Sequence, residues 1–106
     1  MKTNITVIAA TILLSACTTL NLTSGGEKVR VLDPSEIDTC RELGKTNNSV
    51  TSKFIFERGE DAVAKELRII ARNSAARMGG DTIVPLTVIE AGQQTFVVYK
   101  CINPDG

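Results

Sequence analysis

The sequence contains no histidine and no tryptophan among its 106 residues. Without an imidazole it cannot build histidine-based acid–base catalysis, a Ser–His or Cys–His nucleophile pair, or a His-ligated metal site. It also lacks an excess of either charge, because 12 Lys+Arg balance 12 Asp+Glu. Nucleic-acid binding is therefore disfavoured, since phosphate backbones are bound by basic surfaces. The length allows one domain, and a composition of 42% hydrophobic and 23% charged residues is typical of a globular one.

The amino terminus has the features of an export signal. Lys2 precedes an apolar stretch from Ile5 to Leu14, which is the length of a signal-peptide core and shorter than the roughly 20 residues that span a membrane. The sequence Leu14-Ser15-Ala16-Cys17 resembles the lipobox of bacterial lipoproteins. This resemblance implies that residues 1–16 are a lipoprotein signal peptide and that Cys17 becomes the acylated first residue. The alternatives are an ordinary signal peptide with a chance cysteine, or a buried helix.

The residue after the cysteine bears on the destination. In the lipoprotein sorting pattern an Asp at this position retains the protein at the inner membrane, and this chain has Thr18. The resemblance thus implies lipid anchoring in the bacterial outer membrane, with the domain facing the periplasm. Residues 17–26 are interpreted as the lipidated cysteine and a tether with a reach of at most about 30 Å. Residues 27–106 are interpreted as a single α+β domain.

Two further cysteines, Cys40 and Cys101, remain after Cys17. Disulfides persist outside the cytoplasm, so we expect these two residues to form a structural bond. The alternative is a pair of free buried thiols. A zinc site lacks the four ligands that zinc prefers, and a catalytic thiol lacks a neighbouring histidine base. No metal or cofactor is expected.

The hydrophobic pattern predicts four strands and one helix. The helix, Glu60–Met78, carries a stripe of residues at spacings of three and four, and Gly79-Gly80 supplies a left-handed stop. The stripe consists of Val63, Leu67, Ile70, Ser74 and Met78, flanked by Ala71 and Ala75. The predicted strands are Val29–Leu32, Cys40–Thr51, Thr82–Glu90 and Thr95–Ile102, and the conformation of residues 47–59 is left open.

These elements constrain the topology to an α+β fold. The crossover helix makes the second and third strands parallel, and a hairpin returns the fourth strand antiparallel. Placing the fourth strand between the second and third brings Cys40 near Cys101 and leaves Pro85, which has no ladder donor, on an edge. We therefore predict a small mixed sheet of about four strands in the order 1-2-4-3, with one helix packed on one face.

Residues 26–101 also resemble a family of small bacterial lipoproteins known as domain of unknown function 4156. The resemblance is carried by the segments Gly26–Val31, Cys40–Gly44, Leu67, Ala71–Asn73, Ala75-Ala76, Met78–Thr82 and Tyr99–Cys101. A more distant likeness is to the signalling domain of RcsF, the outer-membrane lipoprotein that senses envelope stress. It too has a helix with small residues and cystine-tied strands.

The function expected from these features is non-enzymatic. We expect an anchored domain that binds another envelope protein, with a role related to envelope stress. The alternative is a periplasmic inhibitor of a cell-wall hydrolase, which would present the segment Lys53–Gly59 to the enzyme's cleft. An enzyme would have to use the carboxylates of Asp33, Glu36 and Asp38, which are better explained as capping or solvating a proline turn.

Overall fold

A four-stranded mixed sheet carries one long helix on one of its faces. The computed structural model describes residues 21–50 and 55–105. Residues 1–16 and Cys17, for which a signal peptide and lipidation are predicted, lie outside the described residues. The strands are β1 (Arg30–Val31), β2 (Arg41–Ser49), β3 (Thr82–Pro85) and β4 (Gln93–Lys100), and the helix is α1 (Ile55–Arg77). The prediction of an α+β fold with one helix and four strands is confirmed.

The strand order in the sheet is β1-β3-β4-β2. β4 lies between β2 and β3 and is antiparallel to both. The prediction that the fourth strand lies between the second and the third is therefore confirmed. The predicted neighbour of the first strand is wrong, because β1 pairs with β3 in parallel and not with β2. Val29, directly before β1, is buried in the core with Ile83 of β3, and the Arg30 N–H donates to the Asp81 carbonyl (3.0 Å). These contacts place β1 beside the strand that follows α1.

Pro85 marks the end of β3. The third strand is interior where it starts, since Arg30 and Val31 pair with Thr82 and Ile83. The predicted edge position of this strand is wrong, because β3 lies between β1 and β4. Pro85 is tolerated since β1 does not extend to it, so its missing N–H has no strand beside it. The predicted extent of the strand, Thr82–Glu90, is too long, because residues 86–90 leave the sheet after the proline.

The core lies between α1 and the sheet. The buried helix residues are Val63, Leu67, Ala71 and Ala75, a single row at spacings of four. Ala71 and Ala75 pack with Val29, Ile83, Phe96 and Val98 of the strands and their flanks. The predicted stripe is therefore correct at Val63 and Leu67. Beyond Leu67 the buried row runs through Ala71 and Ala75, which the prediction placed at the flank of the stripe. Ile70 and Ser74 are half-buried and Met78 is exposed, because the two alanines are the residues that approach the sheet.

Both ends of the helix are set by glycine. Gly59 interrupts α1 with a non-helical φ of 80°, so the regular helix begins at the predicted Glu60. At the other end Gly79 has a φ of 85°, and the Gly80 N–H donates to the Ala75 carbonyl (2.8 Å). A Cβ on Gly80 would lie 2.5 Å from Val98 Cγ1, so the chain must be glycine where it passes β4. Within the described ranges, no helix is sufficiently long and apolar to cross a membrane.

Candidate functional site

The sheet has two ends with different chemistry. At the first, which we call the cystine end, β2 and β3 begin and β4 finishes. At the second, the loop end, β2 and β3 finish and the turn into β4 is made. Among the described residues, the predicted disulfide lies at the cystine end and an unpredicted apolar surface lies at the loop end.

Cys40 and Cys101 form a disulfide at the cystine end. Their Cα atoms are 4.2 Å apart, and the bond joins residues separated by 61 positions. The antiparallel pairing of Arg41 with Lys100 brings the two cysteines to the same margin of the sheet. The predicted pairing is confirmed. The bond therefore ties the residue directly before β2 to the residue directly after β4.

Asp81 organises the backbone beside the disulfide. Its carboxylate accepts hydrogen bonds from the N–H groups of Cys101 (2.8 Å) and Ile102 (2.9 Å) and from the Thr82 hydroxyl (2.9 Å). Partial burial acts to raise the pKa of Asp81. The three donors and the nearby charge of Arg30 outweigh it, and the pKa of this carboxyl is held below its ordinary value of 3.8. Asp81 is thus an anion that fixes the backbone at Cys101 and Ile102.

The carboxylates weighed for catalysis do not form a paired site. The Asp33 N–H donates to Glu36 Oε1 (2.8 Å) across the 3₁₀ turn Pro34–Glu36, and Asp38 is exposed beyond it. Asp33 and Glu36 thus cap the proline turn, and Asp38 is solvated beside it. Across residues 21–50 and 55–105, no group of three or more His, Cys, Asp or Glu side chains is placed to hold a metal ion.

The loop end exposes aliphatic side chains that are buried in most domains. Val88 is 78% exposed, Leu86 52% and Ile89 38%, and all three lie within the segment 86–90 that follows Pro85. We call this segment the apolar loop. Exposed aliphatic residues are normal singly, whereas a contiguous group indicates an interaction surface. The apolar loop is therefore the strongest candidate binding surface in the described part of the chain.

The backbone of the apolar loop is held against β4. The N–H of Leu86 donates to the Thr95 carbonyl (2.9 Å), and the Thr95 N–H donates to the Thr87 hydroxyl (3.0 Å). The Gln94 side chain donates to the Thr87 carbonyl (3.0 Å). Thr87 thus faces the sheet while its two apolar neighbours face solvent. A loop fixed in this way loses little conformational entropy when it binds a partner.

A tight turn and a shallow cleft complete the loop end. Glu90 and Gln93 exchange two backbone hydrogen bonds of 2.9 Å around Ala91 and Gly92, whose φ values are 51° and 74°. Two positive φ values are the signature of the type I′ hairpin turn. The turn lies beside the start of the regular helix, and together they line a cleft of about 260 Å³. Its lining residues are Glu60, Val63, Ile89, Ala91 and Gly92.

The amino-terminal segment is fastened to the outer side of α1 by one asparagine. Asn73 Oδ1 accepts the Thr23 N–H (2.9 Å), and Asn73 Nδ2 donates to the Asn21 carbonyl (3.0 Å). The Thr23 hydroxyl in turn accepts the Gly26 N–H (2.9 Å), and a Cβ on Gly26 would collide with Asn73. We call this arrangement the Asn73 clamp. Residues 21–26, which the prediction assigned to the tether, are thus packed against the domain.

Three features of these sites are not predicted from the sequence. The residues of the apolar loop are rich in β-branched types, so their composition predicts a continuation of the third strand. Pro85 is the residue that indicates an earlier end to the strand. Asp81 lies between the double glycine and a strand. The N–H groups that its carboxylate accepts follow β4, so its role can be predicted only when the pairing of β3 with β4 is known. For Asn73 the sequence offered no signal.

Taken together, these features define a small α+β domain braced by one disulfide, and known sequences place it in a family. The chain belongs to the family described as "Domain of unknown function (DUF4156)", which matches residues 20–101 and confirms the resemblance. It is similar to the "Uncharacterized protein YjeI" of Escherichia coli K12, with 27% identity over 113 aligned positions that cover 92% of this chain and 93% of the relative. The YjeI proteins of E. coli O6:H1 and Shigella flexneri match equally well. No solved structure matches the chain.

Proposed function

We propose that this chain is a lipoprotein of the bacterial outer membrane whose periplasmic domain binds another envelope protein through the apolar loop. Acylation of Cys17 supplies the anchor, because each buried CH₂ contributes about 0.8 kcal/mol and two or three acyl chains hold a protein on a bilayer. The binding role is non-enzymatic, and a role in reporting envelope stress is consistent with it. The observation that carries the proposal is the exposure of Leu86, Val88 and Ile89 on one ordered loop.

The partner surface can be described by its chemistry. Aliphatic anchors on a rigid loop fit an apolar pocket, since the centre of a protein interface is depleted of charge. Beside the anchors lies an amide-rich strip formed by the end of β2 and the start of β4, which offers hydrogen bonds at the rim. Its residues are Asn47, Asn48, Ser49, Gln93, Gln94 and Thr95. The partner is therefore expected to present an apolar pocket with a polar border.

Photo-crosslinking in living cells tests the binding surface. A photoreactive amino acid is placed at Val88, and a matched control is placed at Ile102, which is 59% exposed at the cystine end. We expect one discrete adduct at position 88, identified by mass spectrometry as an envelope protein, and its loss when Leu86→Ser is added. Equal labelling at both positions, or an adduct at 88 that survives Leu86→Ser, contradicts the proposal.

The anchor is tested separately. Mass spectrometry of the native protein is expected to show residues 1–16 removed and acyl mass on Cys17, and Cys17→Ala is expected to accumulate as an unlipidated precursor. Partitioning of that variant into the detergent phase at the level of the wild type would refute acylation.

A hydrolase inhibitor is the second candidate, and the same loop favours it. The predicted inhibitory segment, Lys53–Gly59, does not supply a described loop, because residues 53 and 54 lie outside the described residues and the rest begins α1. A rigid apolar loop beside a cleft is the shape that an inhibitor inserts into an enzyme. Inhibition of lysozyme by the purified domain, abolished by Val88→Ser and retained by Ile102→Ser, would favour this role over the first.

A further inference from the structure

The Asn73 clamp determines how far the folded domain can stand from its anchor. Asn21 and Thr23 are bonded to Asn73, and the backbone of Gly25 and Gly26 lies against the helix surface at Ala76 and Asn73. The clamped segment therefore moves with the domain and adds nothing to the length of a tether. What remains between Cys17 and the clamp is the chain from 17 to 21.

Four peptide units connect Cys17 to Asn21. Whatever conformation they adopt, they span at most about 14 Å, since a fully extended chain covers no more than about 3.6 Å per residue. This is half the reach of about 30 Å expected for a tether that ends at Gly26. If Cys17 carries acyl chains in a bilayer, Asn21 cannot lie farther than this from the level of the lipid head groups.

The half of α1 that carries the clamp is also the positively charged half. Residues 68–77 contain Arg68, Arg72 and Arg77 and no carboxylate, whereas Glu60, Asp61, Lys65 and Glu66 lie in the preceding turns. Arg77 follows Asn73 by one helical turn, so it lies on the same side of α1 and is exposed there, whereas Arg68 lies on another side. Arg72 is partly occupied by the Glu27 carbonyl. In the adjoining 3₁₀ turn, the exposed carboxylate of Glu27 is offset by the exposed Lys28. The net charge of this surface is complementary to lipid phosphates.

We infer that the outer side of α1 around the Asn73 clamp rests on the bilayer, with Arg77 directed at anionic lipid head groups. The inference rests on the proposed acylation of Cys17 and adds an orientation to it. The apolar loop lies beside Glu60, about 20 Å along the helix axis from Asn73. The membrane surface and the partner surface are thus different parts of the domain, and the clamp keeps them apart.

Depth-dependent quenching tests this orientation. The acylated full-length protein is placed in vesicles of phosphatidylethanolamine and phosphatidylglycerol that contain a head-group spin-labelled lipid. A fluorophore is attached at Glu27→Cys, an exposed position in the turn beside the clamp, or, for comparison, at Val88→Cys, with the native disulfide kept oxidised. We expect quenching several-fold stronger at position 27 than at position 88.

Two variants then release the domain. Asn73→Ala removes the clamp, and an insertion of about ten Gly/Ser residues between Leu20 and Asn21 lengthens the tether while the clamp is kept. Each is expected to abolish most of the difference between the two positions. Asn47→Ala, an exposed asparagine bonded to Thr95 at the loop end, is the matched control and is expected to preserve the difference.

The outcomes separate the two proposals. Protein that carries acyl mass and floats with the vesicles but is quenched equally at both positions overturns the orientation and leaves the anchor intact. A difference that survives both Asn73→Ala and the insertion likewise overturns the role of the clamp. Absence of acyl mass, with failure to float, overturns the anchor and the orientation together.

Discussion

The two ends of the sheet differ in role: the cystine end stabilises the fold, and the loop end carries the candidate binding surface. At the cystine end, a disulfide and an ionised aspartate tie together the chain segments that enter and leave the sheet. At the loop end, hydrogen bonds from Thr95 and Gln94 fix a backbone whose aliphatic side chains are left in solvent. The same two strands, β3 and β4, run through both ends. A domain of this size can therefore expose apolar surface at one end because the other is braced covalently.

This comparison predicts opposite responses to substitution. Changes to Cys40, Cys101 and Asp81 at the cystine end should lower the free energy of unfolding, whereas changes to the apolar loop should alter binding and leave unfolding nearly unchanged. The domain has a small core, in which the contact between helix and sheet uses Ala71 and Ala75 where larger side chains would bury more area. The crosslink consequently accounts for a large share of the stability.

The largest effect is expected from removal of the disulfide. The double variant Cys40→Ser/Cys101→Ser should lose on the order of 3–4 kcal/mol, because the 61-residue loop is no longer closed in the unfolded chain. At about 4–8 °C per kcal/mol, the melting temperature should fall by more than about 10 °C. Thermal unfolding by circular dichroism measures it. Wild-type protein that melts at the same temperature with and without reductant would remove the cystine from the stability argument.

Asp81→Asn should have the next largest effect. An amide offers one acceptor oxygen and no charge to the N–H groups of Cys101 and Ile102, so we expect a loss of about 1.5–3 kcal/mol near pH 7. The pKa of Asp81 is lowered in the folded state, so its stabilisation is full above the ordinary value of 3.8 and is lost as pH falls through the folded value. Urea unfolding from pH 7 to pH 2 should show the two proteins converging below about pH 3.8.

Asp38→Asn is the matched control for that titration. Asp38 is exposed, and the same chemical change there should leave stability within about 0.5 kcal/mol of the wild type at every pH. A difference between wild type and Asp81→Asn that stays constant down to pH 2 would show that the charge of Asp81 does not matter.

The ease of predicting each end from sequence also differs. Cys40 and Cys101 follow from counting cysteines, and the α+β class follows from one periodic helix between β-branched segments. Gly79-Gly80 ends the helix through local backbone geometry, so its role is visible in the sequence. These features depend on short-range chemistry or on a covalent rule, and the sheet centre follows once the disulfide is assumed.

What could not be predicted depends on contacts between distant segments. β1 lies beside β3 because Val29 and the strand itself meet residues 81–83, and no local pattern encodes a contact across some 50 residues. Val88 and Ile89 have the composition of a strand, and burial by neighbours decides whether such residues form one. The centre of the helix stripe shifted to Ala71 and Ala75 for the same reason, since hydrophobicity favours Ile70 and Met78 until the close approach of the sheet is known.

A smaller effect should come from two residues with nearly the same unusual backbone. Ala91 at the loop end has a φ of 51°, and Asn103 at the cystine end has a φ of 52°. Asparagine tolerates the left-handed region better than alanine does. We expect Ala91→Asn to raise stability by about 0.5 kcal/mol and Asn103→Ala to lower it by a similar amount. Chemical denaturation measures both, and a shift of the same sign in the two variants would contradict the backbone explanation.

The smallest effect on stability, and the sharpest test of the division between the ends, comes from Val88→Ser and Ile102→Ser. Both side chains are aliphatic and largely exposed, at 78% and 59%. Neither substitution should change the free energy of unfolding by more than about 0.5 kcal/mol, because both side chains are mostly in solvent already and bury little apolar area in the folded state. Val88→Ser should nevertheless abolish capture of the partner by a photoreactive residue at Leu86, while Ile102→Ser should leave it intact. If Val88→Ser destabilises the domain by more than about 1 kcal/mol, the loop is part of the core and the two ends share one role.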